Sequence, residues 1–140
     1  MVGIRLIIIM AIVGGLIAYL ADKMGSKIGK KRMSVKIDVT GEVVTAFLSG
    51  EIDHHTAAGI RKEIDTAVEN SVLTLLVLDF SGVTFMDSSG IGLVMGRYAA
   101  AKKKGAVLHV SGAGETLYKV MRLAGIERLA RLEKGDATKL

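Results

Sequence analysis

The sequence predicts a single α/β domain with a mixed β-sheet and amphipathic helices, preceded by a hydrophobic N-terminal helix. Three observations carry that prediction. Alternating and continuous apolar runs of strand length recur between stretches of helical spacing, the pattern that distinguishes α/β chains. The chain has 140 residues, room for one domain of ordinary size. Its apolar residues and its net charge of +5 both concentrate at the N-terminus.

Residues 1–32 form the first part of the chain, a hydrophobic segment followed by a basic linker. Leu6 to Ala21 carries no charge, and counting from Val2 with Arg5 reaching toward the headgroups gives a stretch of about 30 Å as a helix. That length matches a bilayer core, so residues 2–21 are expected to act as a membrane anchor. Lys23, Lys27, Lys30, Lys31 and Arg32 follow, and this cluster should stay on the cytoplasmic side. The expected location is therefore a cytoplasmic domain tethered to the cell membrane. A cleaved signal peptide is disfavoured, because Arg5 is the only charge in the leader and no clear small-x-small pattern precedes Asp22.

Residues 33–140 form the domain, in which thirteen basic side chains balance thirteen acidic ones. The basic character belongs to the N-terminal segment, and direct nucleic-acid binding loses its electrostatic footprint. The absence of cysteine removes disulfides, thiol catalysis and thiolate metal sites.

Val35, Ile37 and Val39 alternate with polar residues as in a half-buried strand, Gly41-Glu42 reads as a turn, and Val43 to Ser49 completes a hairpin. Ala57, Ile60, Ile64, Ala67 and Val68 place an amphipathic helix over about Thr56–Glu69. Leu73 to Phe80 is a nearly unbroken apolar run, expected of a central strand covered on both faces. A loop through Ser81-Gly82 follows, then a helix from Ser88 to about Lys104, stopped by Gly105. Ala106–Val110 reads as a strand. Leu117, Val120, Met121 and Ala124 mark a third helix ended by Gly125, and Ile126–Leu132 supplies a last strand. The expected order is β-β-α-β-α-β-α-β.

Ser88 stands where the chain enters the second helix of the domain. Its hydroxyl suits an N-cap, accepting a hydrogen bond from an unpaired N–H of the first turn. The other reading is a phosphoacceptor: a phosphoryl group adds about −1.5 to −2 charge at a helix start that tolerates anions, while Asp87 adds to the local field. A partner surface built for a neutral hydroxyl would then be repelled without any change of fold.

Two segments favour the second reading. Gly50-Glu51-Ile52-Asp53-His54-His55-Thr56 and Phe85-Met86-Asp87-Ser88-Ser89-Gly90-Ile91-Gly92 resemble the signature segments of the anti-sigma F factor antagonists of sporulation, and Gly96-Arg97-Tyr98 continues the match. These proteins have the STAS fold, and the resemblance extends over Met33 to Leu132. It implies a partner-switching regulator. The unphosphorylated antagonist binds an anti-sigma factor that is itself a serine kinase, releasing the sigma factor for transcription. The kinase inactivates the antagonist by phosphorylation, and a serine phosphatase restores it. The phosphoacceptor falls on Ser88, with Ser89 second, and the partner-binding residues on Asp53, Asp87, Ser88, Ser89 and Gly90.

Asp53 also reads as a helix-capping aspartate. The adjacent side chains of His54 and His55 are expected to diverge, and His109 falls in a strand, so no metal is expected. No cofactor is implied. Catalysis is not expected either, since the sequence offers no reason to place a histidine beside Asp87 and Ser88. Gly90, Gly92 and Gly96 read as points of close backbone approach, and Met86, Met95 and Met121 as core filler. The alternative reading is a membrane-tethered STAS module of another partner-switching or transport complex.

Overall fold

The computed structural model describes residues 33–135. The expected anchor over residues 2–21 and the basic linker lie outside the described residues, as do residues 136–140. Among the described residues no helix is long and apolar enough to cross a membrane.

The elements follow the expected order: β1 (Ser34–Thr40), β2 (Val43–Ile52), α1 (Ala57–Glu69), β3 (Leu75–Met86), α2 (Ser88–Lys103), β4 (Val107–Ala113), α3 (Glu115–Leu123), a 3-10 turn (Ile126–Arg128) and β5 (Arg131–Lys134). The last predicted strand is thus divided between a 3-10 turn and a shorter strand. Gly41, Gly105 and Gly125 adopt positive φ values of 60°, 71° and 85° where the hairpin turns and where α2 and α3 end. A residue without a β-carbon reaches that region at no steric cost.

The five strands lie side by side in chain order, with β1 antiparallel to β2 and the other neighbours parallel. Parallel crossovers are right-handed almost without exception, and three of them stepping in one direction along the sheet place all three helices on one face. Burial reports this directly. Val44, Ala46, Leu48, Leu76, Leu78, Phe80, Leu108 and Val110 are buried beneath the helices with Ile60, Ile64, Val94, Leu117 and Met121. Each of these side chains larger than alanine contributes about 1.5–3 kcal/mol when fully buried. The alternate residues point to the opposite face, where Phe47 and Val107 are exposed and Val43, Leu75 and Val77 are half-buried.

This corrects the expectation that the central strand is covered on both faces. Its apolar run reflects one packed face and one partly open one. The strand also continues six residues past Phe80, so the expected loop at Ser81-Gly82 is strand. Register shifts in the β2–β3 ladder absorb the irregularity. Gly82 pairs with Ser49, and a β-carbon on it would stand 2.7 Å from the Ser49 Cβ. Here glycine marks a close strand approach in an irregular ladder rather than a turn.

Candidate functional site

β2 and β3 are parallel neighbours, with Ile52 opposite Met86, so the turns that leave their carboxyl ends emerge side by side. The Asp87 N–H donates to the Ile52 carbonyl at 3.1 Å and ties the turns at their roots. Crevices at the carboxyl ends of parallel strands are where open α/β sheets commonly place their sites.

Asp87 is the N-cap of α2: its Oδ1 accepts a hydrogen bond from the Ser89 N–H at 2.8 Å. Capping therefore belongs to Asp87, and Ser88 is the first helical residue. The Ser88 side chain is exposed and its hydroxyl makes no hydrogen bond among the described residues, whereas Ser89 is half-buried. Gly90 is buried directly over Met86, and a β-carbon there would overlap Met86 Cγ and Sδ. Close approach thus explains Gly90. It does not explain Gly92 or Gly96, where a β-carbon would meet open space.

The neighbouring turn is braced internally. Asp53 Oδ1 accepts from the N–H groups of His55 at 2.8 Å and Thr56 at 3.0 Å, while the Asp53 N–H donates to Thr56 Oγ1 at 3.0 Å. The Thr56 N–H is the main cause holding the Asp53 carboxyl below its ordinary value; partial desolvation opposes it, and the His55 N–H adds to the lowering. Asp53 is accordingly ionised at neutral pH. Thr56 itself occupies the N-cap position of α1, so Asp53 stabilises the approach to the helix from outside it.

His54 and His55 do not diverge: their rings lie 3.9 Å apart between centroids, tilted by 40°. His54 Nδ1 also stands 4.0 Å from Asp87 Oδ2, a juxtaposition the sequence did not suggest. The spacing exceeds a hydrogen bond, and the other Asp87 oxygen is committed to the cap. The arrangement is not the base, orienter and nucleophile relay of an activated serine. Among the described residues no group of three or more histidine or acidic side chains is placed to hold a metal.

Around Ser88 the surface is acidic and apolar. Asp53 and Asp87 supply the charge; of the exposed apolar residues, Phe85 precedes the helix start and Met95 lies two turns along the helix. Met95 lies seven residues beyond Ser88, on the same helical face with the open Gly92 between them. Sequence reasoning had placed Met95 in the core; Met86 and Met121 are buried as expected.

Two residues that sequence reasoning missed join α1 to α2. Arg97 is only 5 % exposed, the one buried charged residue among those described, and its Nη1 stands 2.8 Å from Asp65 Oδ1. Burial pulls its pKa below the ordinary guanidinium value, against the opposing pull of Asp65. An arginine two residues from an exposed methionine gives no sequence signal of burial.

The STAS domain model matches residues 34–136. The chain belongs to the STAS domain family. A family of unknown function also matches residues 3–50. Among curated relatives, the STAS chain is 30 % identical to an anti-sigma F factor antagonist of Paenibacillus polymyxa, over 70 % of this chain and 84 % of that protein. Among solved structures it resembles the anti-sigma factor antagonist SpoIIAA in its unphosphorylated form, at 32 % identity and a TM-score of 0.63, covering 71 % of this chain and 87 % of that one. It also resembles the Bacillus cell fate determinant SpoIIAA in the phosphorylated form, at 32 % identity and a TM-score of 0.58, covering 71 % and 90 %.

Proposed function

We propose that this STAS domain is an anti-sigma factor antagonist whose unphosphorylated form docks onto an anti-sigma factor serine kinase through the paired turns, and which is switched off by phosphorylation of Ser88. The observation that carries the reading is the exposed Ser88 hydroxyl at the start of α2, beside Asp87 and the exposed Phe85 and Met95. Relatives named as anti-sigma F factor antagonists, and the existence of one such protein in phosphorylated and unphosphorylated structures, support it. Apolar contacts from Phe85 and Met95 supply affinity, and the hydroxyl decides whether docking is permitted. A phosphoryl group there adds about two negative charges beside Asp87. The helix start accommodates them through its N–H groups, so the fold survives while the docked state is lost. Release of the modified serine then falls to a phosphatase.

Incubating the chain with an anti-sigma kinase and ATP, followed by phosphopeptide mass spectrometry, tests partner class and site together. Modification is expected on Ser88 ahead of Ser89. Phosphate found only elsewhere on the chain defeats the reading.

The apolar run over residues 2–21, in which Arg5 is the one charged side chain, favours one addition, a membrane tether that holds the switch at the cytoplasmic face. The full chain is expected in the membrane fraction and a chain starting at Met33 in the supernatant. Recovery of both in the supernatant removes the tether and leaves the switch untouched.

A further inference from the structure

Helices that pack side by side usually take their axial register from side-chain ridges seated in the facing grooves. The buried face of α2 carries Gly90, Leu93, Val94, Arg97 and Ala101, so Arg97 is the one charged side chain among otherwise small and apolar residues there. Polar contacts at three levels hold α2 and Ser88 against the neighbouring turn and helix.

The root of the two turns is fixed by the main-chain bond from Asp87 to Ile52. At the far end, Lys104 Nζ reaches the carbonyls of Glu69 and Ser71, each at 3.2 Å. Between these lies the Asp65–Arg97 pair, with Arg97 Nη1 also directed at the Arg61 carbonyl at 3.5 Å. Asp65 stands nine residues beyond Thr56, and Arg97 nine residues beyond Ser88, about 13 Å along either helix. Both helices follow parallel neighbouring strands and run in the same direction. Equal offsets therefore bring the Thr56 turn and Ser88 to the same height.

Stability alone does not account for this pair. The guanidinium is desolvated, it lies close to the charge of Arg61, and neither its Nε nor Asp65 Oδ1 has a hydrogen-bond partner among the described residues. Buried ion pairs are often replaceable by apolar residues of similar volume with no loss of stability. What an apolar pair does not supply is direction: the Nη1–Oδ1 contact draws Arg97 to one position along the partner helix, whereas leucine and methionine tolerate sliding.

We propose that Asp65 and Arg97 are positioning residues that hold α1 and α2 in axial register, so that the Asp53–His54 turn and Ser88 are presented as one surface to the partner. The role in partner docking rests on the function proposed above; the register itself does not.

The test uses the full chain carrying Asp65→Leu and Arg97→Met together, with Arg97→Lys as the conservative variant. Urea unfolding is expected to show the double variant as stable as the parent or more so. Its amide NMR resonances at His54, His55, Ser88 and Ser89, remote from both substitutions, are expected to shift or broaden, and affinity for the anti-sigma kinase to fall about tenfold. Arg97→Lys, which keeps the charge and loses the guanidinium, should recover part of both signals. A folded double variant whose turn resonances coincide with those of the parent overturns the inference. If the double variant does not fold, unchanged turn resonances in Arg97→Lys overturn it instead. An NMR response in the double variant, together with a parent chain that binds no anti-sigma kinase, leaves the register standing and removes the proposed partner.

Discussion

Ser88→Asp is expected to weaken docking onto the anti-sigma kinase by at least about 100-fold, equivalent to about 2.7 kcal/mol, while Ser88→Ala stays within about threefold of the parent. The asymmetry follows from the surroundings. Ser88 is exposed and its hydroxyl holds no hydrogen bond among the described residues, so removing it leaves none of their groups unpaired. A carboxylate at the same place adds charge beside Asp87 in a surface that must be desolvated on docking, and misplaced like charges at an interface cost several kcal/mol. The fold responds in the opposite direction: a negative side chain in the first turn of a helix stabilises it by about 0.3–1 kcal/mol. Calorimetric titration together with thermal unfolding separates the two effects. Equal affinities for the aspartate and alanine variants would end the electrostatic account.

Asp65→Ala is expected to produce the largest loss of stability among single side-chain truncations at the helix pair, about 3 kcal/mol, because it strands a buried guanidinium. For a domain of this size that corresponds to a fall in Tm of more than about 10 °C. The partner substitution is milder. Arg97→Met leaves Asp65, whose side chain is 31 % exposed and can turn to water. Urea denaturation of the two single variants reads the difference, and equal losses would show that the arginine is not the costly member of the pair.

Much of this architecture is visible in the sequence because local and tertiary preferences agree. Val35, Ile37 and Val39 face the packed side of the sheet from an edge strand, and their alternation announces it. The helices begin and end within a few residues of expectation, because Gly105 and Gly125 stop α2 and α3 in the left-handed conformation that favours glycine. β3 was harder to delimit. Ser81-Gly82 has turn composition, and only the pairing of Gly82 with Ser49 reveals that the glycine admits a neighbouring strand.

At the candidate site, the sequence singled out Asp53, Asp87 and Ser88 by residue type and by the two signature segments. Their division of labour did not show: which of Asp87 and Ser88 caps the helix depends on a single residue of phase at its start, the least legible property of any helix. The contact between His54 and Asp87, and the pairing of Asp65 with Arg97, join residues more than thirty positions apart. Neither has a local signature.

The link between Ile52 and Asp87 joins main-chain atoms only. Side-chain changes at the exposed positions around them leave that amide donor and carbonyl in place, so the outward chemistry of the two turns is free to be rewritten while their spacing at the root is inherited from the strands. A scaffold of that kind lets new docking specificities arise without the cost of rebuilding the frame that displays them.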